Sequence, residues 1–286
     1  MPIITARNIY SYWQSFPLAL ILMLFLVFPI LVIVIVSFWN YNEYSLIPAF
    51  IFDNYEFLLT SPVTWRAYGQ TLQYAAMSWA ITLLIGFTVA YFLAFHIRTN
   101  GNQTLLFLIC TVPFLTSNII RMISWIPLLG RNGLINTGLQ SAGITNEPIE
   151  WLLYSDFAIV LAYVHLYTLF MVVPIFNSMM RIDRSLVEAA IDAGARSYQI
   201  LRDVIIPLSK SGIIIGSIFV FTLVMGDFVT VKIMGGGIRG NIAVLIYNEI
   251  SLLQYPSAAA GAVILLTTVI MMLVILFRLV DIRKEV

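Results

Sequence analysis

Two charges stand inside long apolar runs of this chain: Arg121 in "TSNIIRMISW" and Asp227 in "LVMGDFVTVK". An ionised side chain in an apolar medium is costly unless it is paired, so each needs a reason to be there. Two readings stand. Either the charges neutralise each other or Arg121 snorkels outward, or Asp227, beside Gly226, offers its carboxylate to an arriving ammonium group. Three aromatic residues in the same runs, Trp125, Tyr167 and Phe170, could present ring faces to such a cation, or could simply pack. Enzyme chemistry finds less support, because hydrolysis or proton transfer needs matched groups, and a lone Asp227 with a remote His165 supplies no such pair. His96 and His165 are far apart, and the single cysteine, Cys110, can form neither an intrachain disulfide nor a thiolate cluster. No metal site is expected.

The elements that must position these residues follow from composition. Of 286 residues 60% are hydrophobic and only 10% charged, which describes a chain solvated mostly by lipid. A net charge of +1 gives no basic stripe for a nucleic-acid backbone. Six apolar runs are long enough for helices across a bilayer, at about 17–38, 69–95, 105–129, 157–179, 212–231 and 258–280, so the fold class is all-α, a polytopic membrane protein forming one transmembrane domain over 1–286. The first run is followed by bulky residues from Ser37 to Asn40 rather than a cleavage site, so it should remain as an anchor. If the third and fifth runs are unbroken helices of the same direction, Arg121 and Asp227 lie about 22 to 24 Å from their starts and share a depth.

Orientation follows from the basic residues. One side receives Arg7, Arg98, Arg181, Arg184, Arg196, Arg202, Lys210, Arg278, Arg283 and Lys284, and the other Arg66, Arg131, Lys232 and Arg239. Ten against four places both termini in the cytoplasm. Aromatic residues in loops such as "WNYNEYSLIPAFIFDNYEFL" suit a membrane-interface belt, or a docking surface for an outer partner.

The polar island at 181–210 lies on the cytoplasmic side and carries nine of the charges. Ser185 followed three residues later by Glu188 reads as a capping box that starts a helix. Asp192 and Arg196 could pair along one side, while Gly194 between them favours a bend, and Pro207 suits the start of the fifth span. The small residues Ala189, Ala190, Ala193 and Gly194 would let another surface approach closely. A helix, bend, helix unit results, either an amphipathic connector on the leaflet or a joint to a partner.

Glu188-Ala189-Ala190, three residues, Gly194, nine residues, Val204, any residue, Ile206 and Pro207 resemble the EAA loop of ABC-importer permeases, with Val204 and Ile206 as conservative departures. The resemblance implies the type I ABC importer permease fold, and coupling helices that dock into a groove of a cytoplasmic ATPase through Glu188, Ala189, Ala190, Asp192, Gly194, Ala195 and Pro207. No GxxxxGK[ST] phosphate loop is present, so ATP and magnesium would be used by that partner and no cofactor by this chain. Four segments carry a further resemblance, to the spermidine/putrescine permeases: "DNYEFLL" from Asp53, "VPFLTSNIIRMISWIPLLGRNGLIN" from Val112, "VHLYTLFMVVPIFNSMMRIDRSLVEAAIDAGA" from Val164 and "GNIAVLIYNEISLLQYPSAAAGAVILL" from Gly240. It implies a non-catalytic subunit in the bacterial inner membrane, a second permease as heterodimer partner, two ATPase copies, a periplasmic binding protein, and a polyamine as cargo. Permeases for ferric iron, thiamine, opines, quaternary amines or aminophosphonates share much of the pattern. A self-contained secondary transporter or channel would show more broken or polar sites near the midplane than two charges. The pathway candidates are Asp227, Trp125, Tyr167, Phe170 and Arg121.

Overall fold

The computed structural model describes residues 16–42, 45–97 and 99–278. Arg7, Arg98, Arg283 and Lys284, four of the ten basic residues in the orientation argument, lie outside the described residues, as does the end of the sixth run. Four helices are long and apolar enough to cross a membrane: α1 (Phe16–Val36), α3 (Pro62–His96), the helix ending at Met179 and the helix Tyr255–Arg278. Two further helix pairs qualify only if each bent pair is one span.

The chain divides into two compact units. The first comprises the described residues up to Pro62 together with Ile246–Thr267. In it α1 leads to a two-stranded antiparallel ribbon, β1 (Asn40–Tyr41) with β2 (Leu46–Ile47), and then to α2 (Asp53–Thr60). Asn54 fixes this turn, its amide donating to the carbonyls of Ser37 at 3.0 Å and Trp39 at 2.9 Å. Phe38, Phe50, Phe52 and Tyr55 pack around it.

The second unit holds the residues of interest. After α3 come α4 (Asn100–Thr111), a 3-10 turn (Val112–Leu115), α5 (Asn118–Ile123), α6 (Ile126–Leu129) and α7 (Leu134–Ser141). Next are α8 (Asp156–Met179), α9 (Arg184–Asp192), α10 (Ser197–Leu208), α11 (Lys210–Gly226), α12 (Val229–Met234), α13 (Ile242–Ser251) and α14 (Tyr255–Arg278), the last two continuing partly into the first unit. α8 lies at the centre. Ser155 caps it, its Oγ accepting from the Ala158 backbone N–H at 3.2 Å, and Asp156 places negative charge in the first turn, where the helix dipole favours it.

Close approach of α11 to α8 is written in Gly212 and Gly216, four residues apart and therefore on one face. A Cβ on Gly216 would stand 2.7 Å from Met171 Sδ and 3.2 Å from its Cα, and one on Gly212 would meet the Pro174 carbonyl. On α3, Gly86 leaves room for the same Met171. Trp79 Nε1 then ties α3 to α11 by donating to Ser217 Oγ at 2.8 Å. In lipid, with little hydrophobic drive between helices, this packing and hydrogen bonding hold the bundle.

Two expectations are corrected. The third run is not one helix: Pro113 lacks a backbone N–H, Thr116 and Ser117 turn to extended ψ angles of 150° and 139°, and the two parts are bent by 90°. The fifth run also stops early, α11 ending at Gly226 and Asp227 taking extended backbone (φ −90°, ψ 112°). Depth along an unbroken helix therefore does not describe Arg121, while Asp227 lies one residue beyond the end of the continuous α11.

Candidate functional site

Two sites emerge in the second unit. The first is the polar segment α9–α10. Its cap lies two residues before the expected one: Asp183, not Ser185, accepts from the Ser185 backbone N–H at 3.0 Å, and this bond, with the Ser185 hydroxyl, holds the Asp183 carboxyl below the usual range. The first side chain able to reach an orphan N–H of the opening turn takes the cap, and here that is Asp183. At the other end Gly194 has φ +82°, the Gly194 N–H donates to Ile191 O at 2.8 Å and Ala195 N–H to Ala190 O at 3.0 Å. This pair of bonds is a Schellman ending, which needs a left-handed residue after the cap. A Cβ at Gly194 would meet nothing within 4 Å, so the position requires the backbone angle and not the space. α10 restarts with Gln199 Oε1 accepting from the Arg196 N–H at 2.7 Å.

Among the described residues no ion pair joins Asp192 to Arg196. Pro207 closes α10, and α11 begins at Lys210 after Ser209 with a bend of 66°, so Pro207 precedes the fifth span rather than opening it. No residue of α9 is buried: Glu188, Ala189 and Asp192 are exposed, Ala190 and Ala195 half-buried, and Leu186 and Ile191 are 49% and 56% exposed. Glu188 also borders a cleft of 280 Å³ with Tyr91, Phe95, Val187, Ile191 and Ile200.

The second site is the break after α11. A helix end inside an apolar bundle leaves polar backbone that must be satisfied by protein. Asp227 answers this with both its carboxylate and its carbonyl. Its carboxylate accepts from the Thr230 backbone N–H at 3.0 Å, from the Thr230 hydroxyl and from Tyr167 OH at 3.0 Å. Its carbonyl accepts from Asn241 Nδ2 at 3.0 Å and Tyr163 OH at 3.2 Å. Asp227 thus caps α12 while remaining half-buried.

Of the five pathway candidates, Tyr167 bonds Asp227 directly, Phe170 lies on α8 with Tyr167, and the others connect to α8 through ring contacts and a hydrogen bond. Tyr167 and Phe170 have ring centroids 6.1 Å apart, Phe170 meets Phe114 at 5.0 Å, and the Arg121 guanidinium lies over Phe114 at 5.7 Å. Trp125 stands beside them, donating from Nε1 to His165 Nδ1 at 3.0 Å, with Arg121 and His165 lining one cavity of 260 Å³. The pairing of Arg121 with Asp227 is corrected: among the described residues no ion pair joins them, Arg121 donates to Asn118 Oδ1, and it is 7% exposed rather than snorkelling. The bend at Thr116–Ser117 sets Arg121 on a separate short helix with its own acceptor. Tyr163, Thr230 and Asn241 were not foreseen. The Asp-x-x-Thr spacing from Asp227 to Thr230 was a visible cap signal, whereas Asn241 and Tyr163 meet the break only through the fold.

Residues 82–285 match the family of binding-protein-dependent transport system inner membrane components, and the chain belongs to it. It is 32% identical, over 84% of its length and 86% of the relative, to the spermidine/putrescine transport system permease protein PotB of Escherichia coli K12. It is 28% identical, over 78% of its length and 75% of the relative, to the inner membrane ABC transporter permease protein YdcU of the same organism. A solved bacterial ABC transporter involved in import of the acidic polysaccharide alginate shares the fold, with a TM-score of 0.79 over 96% of this chain and 95% of that one at 16% identity.

Proposed function

We propose that this chain is the permease subunit of an ATP-driven, binding-protein-dependent importer of polyamines or a related small cationic amine. The observation that carries the cargo is the carboxylate of Asp227, half-buried at a helix break and held by Tyr167, whose ring is followed by that of Phe170 at 6.1 Å. A carboxylate suits an ammonium through a charge-assisted hydrogen bond, and the rings of Tyr167 and Phe170 nearby on α8 could add ring attraction. A polyanion would be repelled there. The relatedness to a spermidine/putrescine permease agrees with this reading.

Energy enters through α9. Its exposed Leu186 and Ala189, three residues apart on one face, are what a groove of a cytoplasmic ATPase would cover, with Glu188 and Ile191 exposed on other sides of the helix and Asp192, Gly194, Ala195 and Pro207 shaping the joint. Two ATPase copies, hydrolysing magnesium-bound ATP, a second and different permease, and a periplasmic binding protein complete the complex, with both termini of this chain cytoplasmic. The six runs at 17–38, 69–95, 105–129, 157–179, 212–231 and 258–280 are its spans, the third and fifth broken.

Calorimetry of the cognate binding protein against a panel of amines tests the cargo. Spermidine or putrescine should bind, and a ligand without positive charge would overturn the polyamine reading. In a chain lacking Cys110, Ser197→Cys should be labelled only from the cytoplasmic side; labelling from the periplasm would reverse the topology.

A further inference from the structure

A second carboxylate, outside the Asp227 cluster, begins α8. Asp156 Oδ1 accepts from Tyr74 OH at 2.7 Å and faces Arg239 Nε at 3.6 Å, each partner of the ion pair being 40% exposed. The pair is neutral but loosely made. At 3.6 Å the contact is too long for a hydrogen bond, and Arg239 Nε is buried with no hydrogen-bond partner.

Arg239 is carried on a glycine-bearing run outside any helix. Gly236 and Gly237 have φ of +62° and +74°, Ile238 is 81% exposed, and Gly236 rests on the ring of Tyr154, itself at φ +57°. Past Arg239 and Gly240, Asn241 fastens the run to the Asp227 carbonyl. Asp156 also aligns with the pathway. Residues 156, 163, 167 and 170 follow offsets of seven, four and three, so Asp156, Tyr163, Tyr167 and Phe170 share one face of α8, with Asp156 about 16 Å along the axis from Tyr167.

We propose that Asp156 is a receiving site for a primary ammonium group ahead of Asp227, and that Arg239 is its resident counter-cation, displaced by the ligand. A compact ammonium with three donors can make the short charge-assisted bond that the guanidinium edge does not make here. The exchange is cation for cation, so a neutral or anionic ligand has no means of releasing Arg239. The site therefore selects for positive charge before the membrane is crossed. This rests on the cationic-cargo reading above.

Two measurements on the whole transporter keep the two ideas apart. Putrescine and spermidine uptake by the complete complex in proteoliposomes tests the reading itself: a wild-type complex that carries neither overturns it and this site together. Equilibrium binding of labelled putrescine to the same permease–ATPase complex in nanodiscs, without binding protein, tests the site. Asp156→Asn should weaken binding about ten-fold, through loss of a charge-assisted hydrogen bond. Arg239→Gln, which removes the competitor, should tighten it about three-fold, and Arg239→Lys, a better-fitting competitor, should weaken it by a similar factor. A merely structural ion pair would move Asp156→Asn and Arg239→Gln in the same direction. Shifts of the same sign, no shift, or no putrescine binding by a wild type that transports it would overturn the proposal alone. If Asp156→Asn does not assemble, the opposite signs of the two Arg239 variants decide it.

Discussion

The α9–α10 joint and the break at Asp227 are both polar interruptions of an apolar chain, yet they treat their polar groups in opposite ways. At the break each group finds a partner inside the bundle: the Asp227 carboxylate has Thr230 and Tyr167, and its carbonyl has Asn241 and Tyr163. At α9 the ends are capped locally and the body is left open, with Leu186 and Ile191 about half exposed. Lipid supplies no hydrogen bonds, so the break must be self-sufficient; a helix in water can leave its face for another protein. The break is satisfied within the bundle, whereas the capped helix α9 leaves apolar side chains exposed, as the proposed joint requires.

Substitutions can break that contrast. The largest effect is expected at Glu188→Arg, which should abolish uptake while complex melting and the binding protein's ligand affinity stay unchanged, because the side chain is exposed at the rim of its cleft and, among the described residues, makes no ion pair. Normal uptake would return α9 to an ordinary connector. Asp227→Asn comes next: the amide oxygen can still accept from Thr230, so the subunit should assemble, while amine uptake should fall at least about ten-fold with loss of the charge. Failure to assemble would assign the carboxylate to structure alone. Asn241→Ala leaves the Asp227 carbonyl to Tyr163 and should cost about 1 to 2 kcal/mol, read as a lower unfolding midpoint of the purified complex. Gly194→Ala should cost about 1 kcal/mol for a left-handed residue with a Cβ, and Gly194→Asn less, with uptake reduced and not lost in both. Equal effects of Ala and Asn would mean that space, not the backbone angle, matters there.

How far these sites could be read in the sequence differs for the same physical reason. The joint was legible because its signals are local: the small residues, the Gly194 bend and the spacing from Glu188 to Pro207 all act within a few turns. Its cap was misplaced by two residues since Ser185 and Asp183 both offer an oxygen to the same opening turn, and only geometry chooses. The charges at Arg121 and Asp227 were visible as anomalies, but their partners were not. Apolar periodicity showed two long runs and hid the breaks at Thr116–Ser117 and Asp227, since these bends change the backbone without changing hydropathy. Asn241 lies 14 residues from Asp227 and Tyr163 lies 64, and such contacts exist only once α8, α11 and the glycine run are packed.

Reconstitution of the complete complex in proteoliposomes tests most directly whether an ATPase drives this chain through α9. Putrescine uptake should require ATP, the loaded binding protein and an intact Glu188, and Glu188→Arg should leave ATP binding by the partner unaltered while ending transport. Uptake that proceeds on an ion gradient without ATP, or that survives Glu188→Arg at the wild-type rate, would contradict the account.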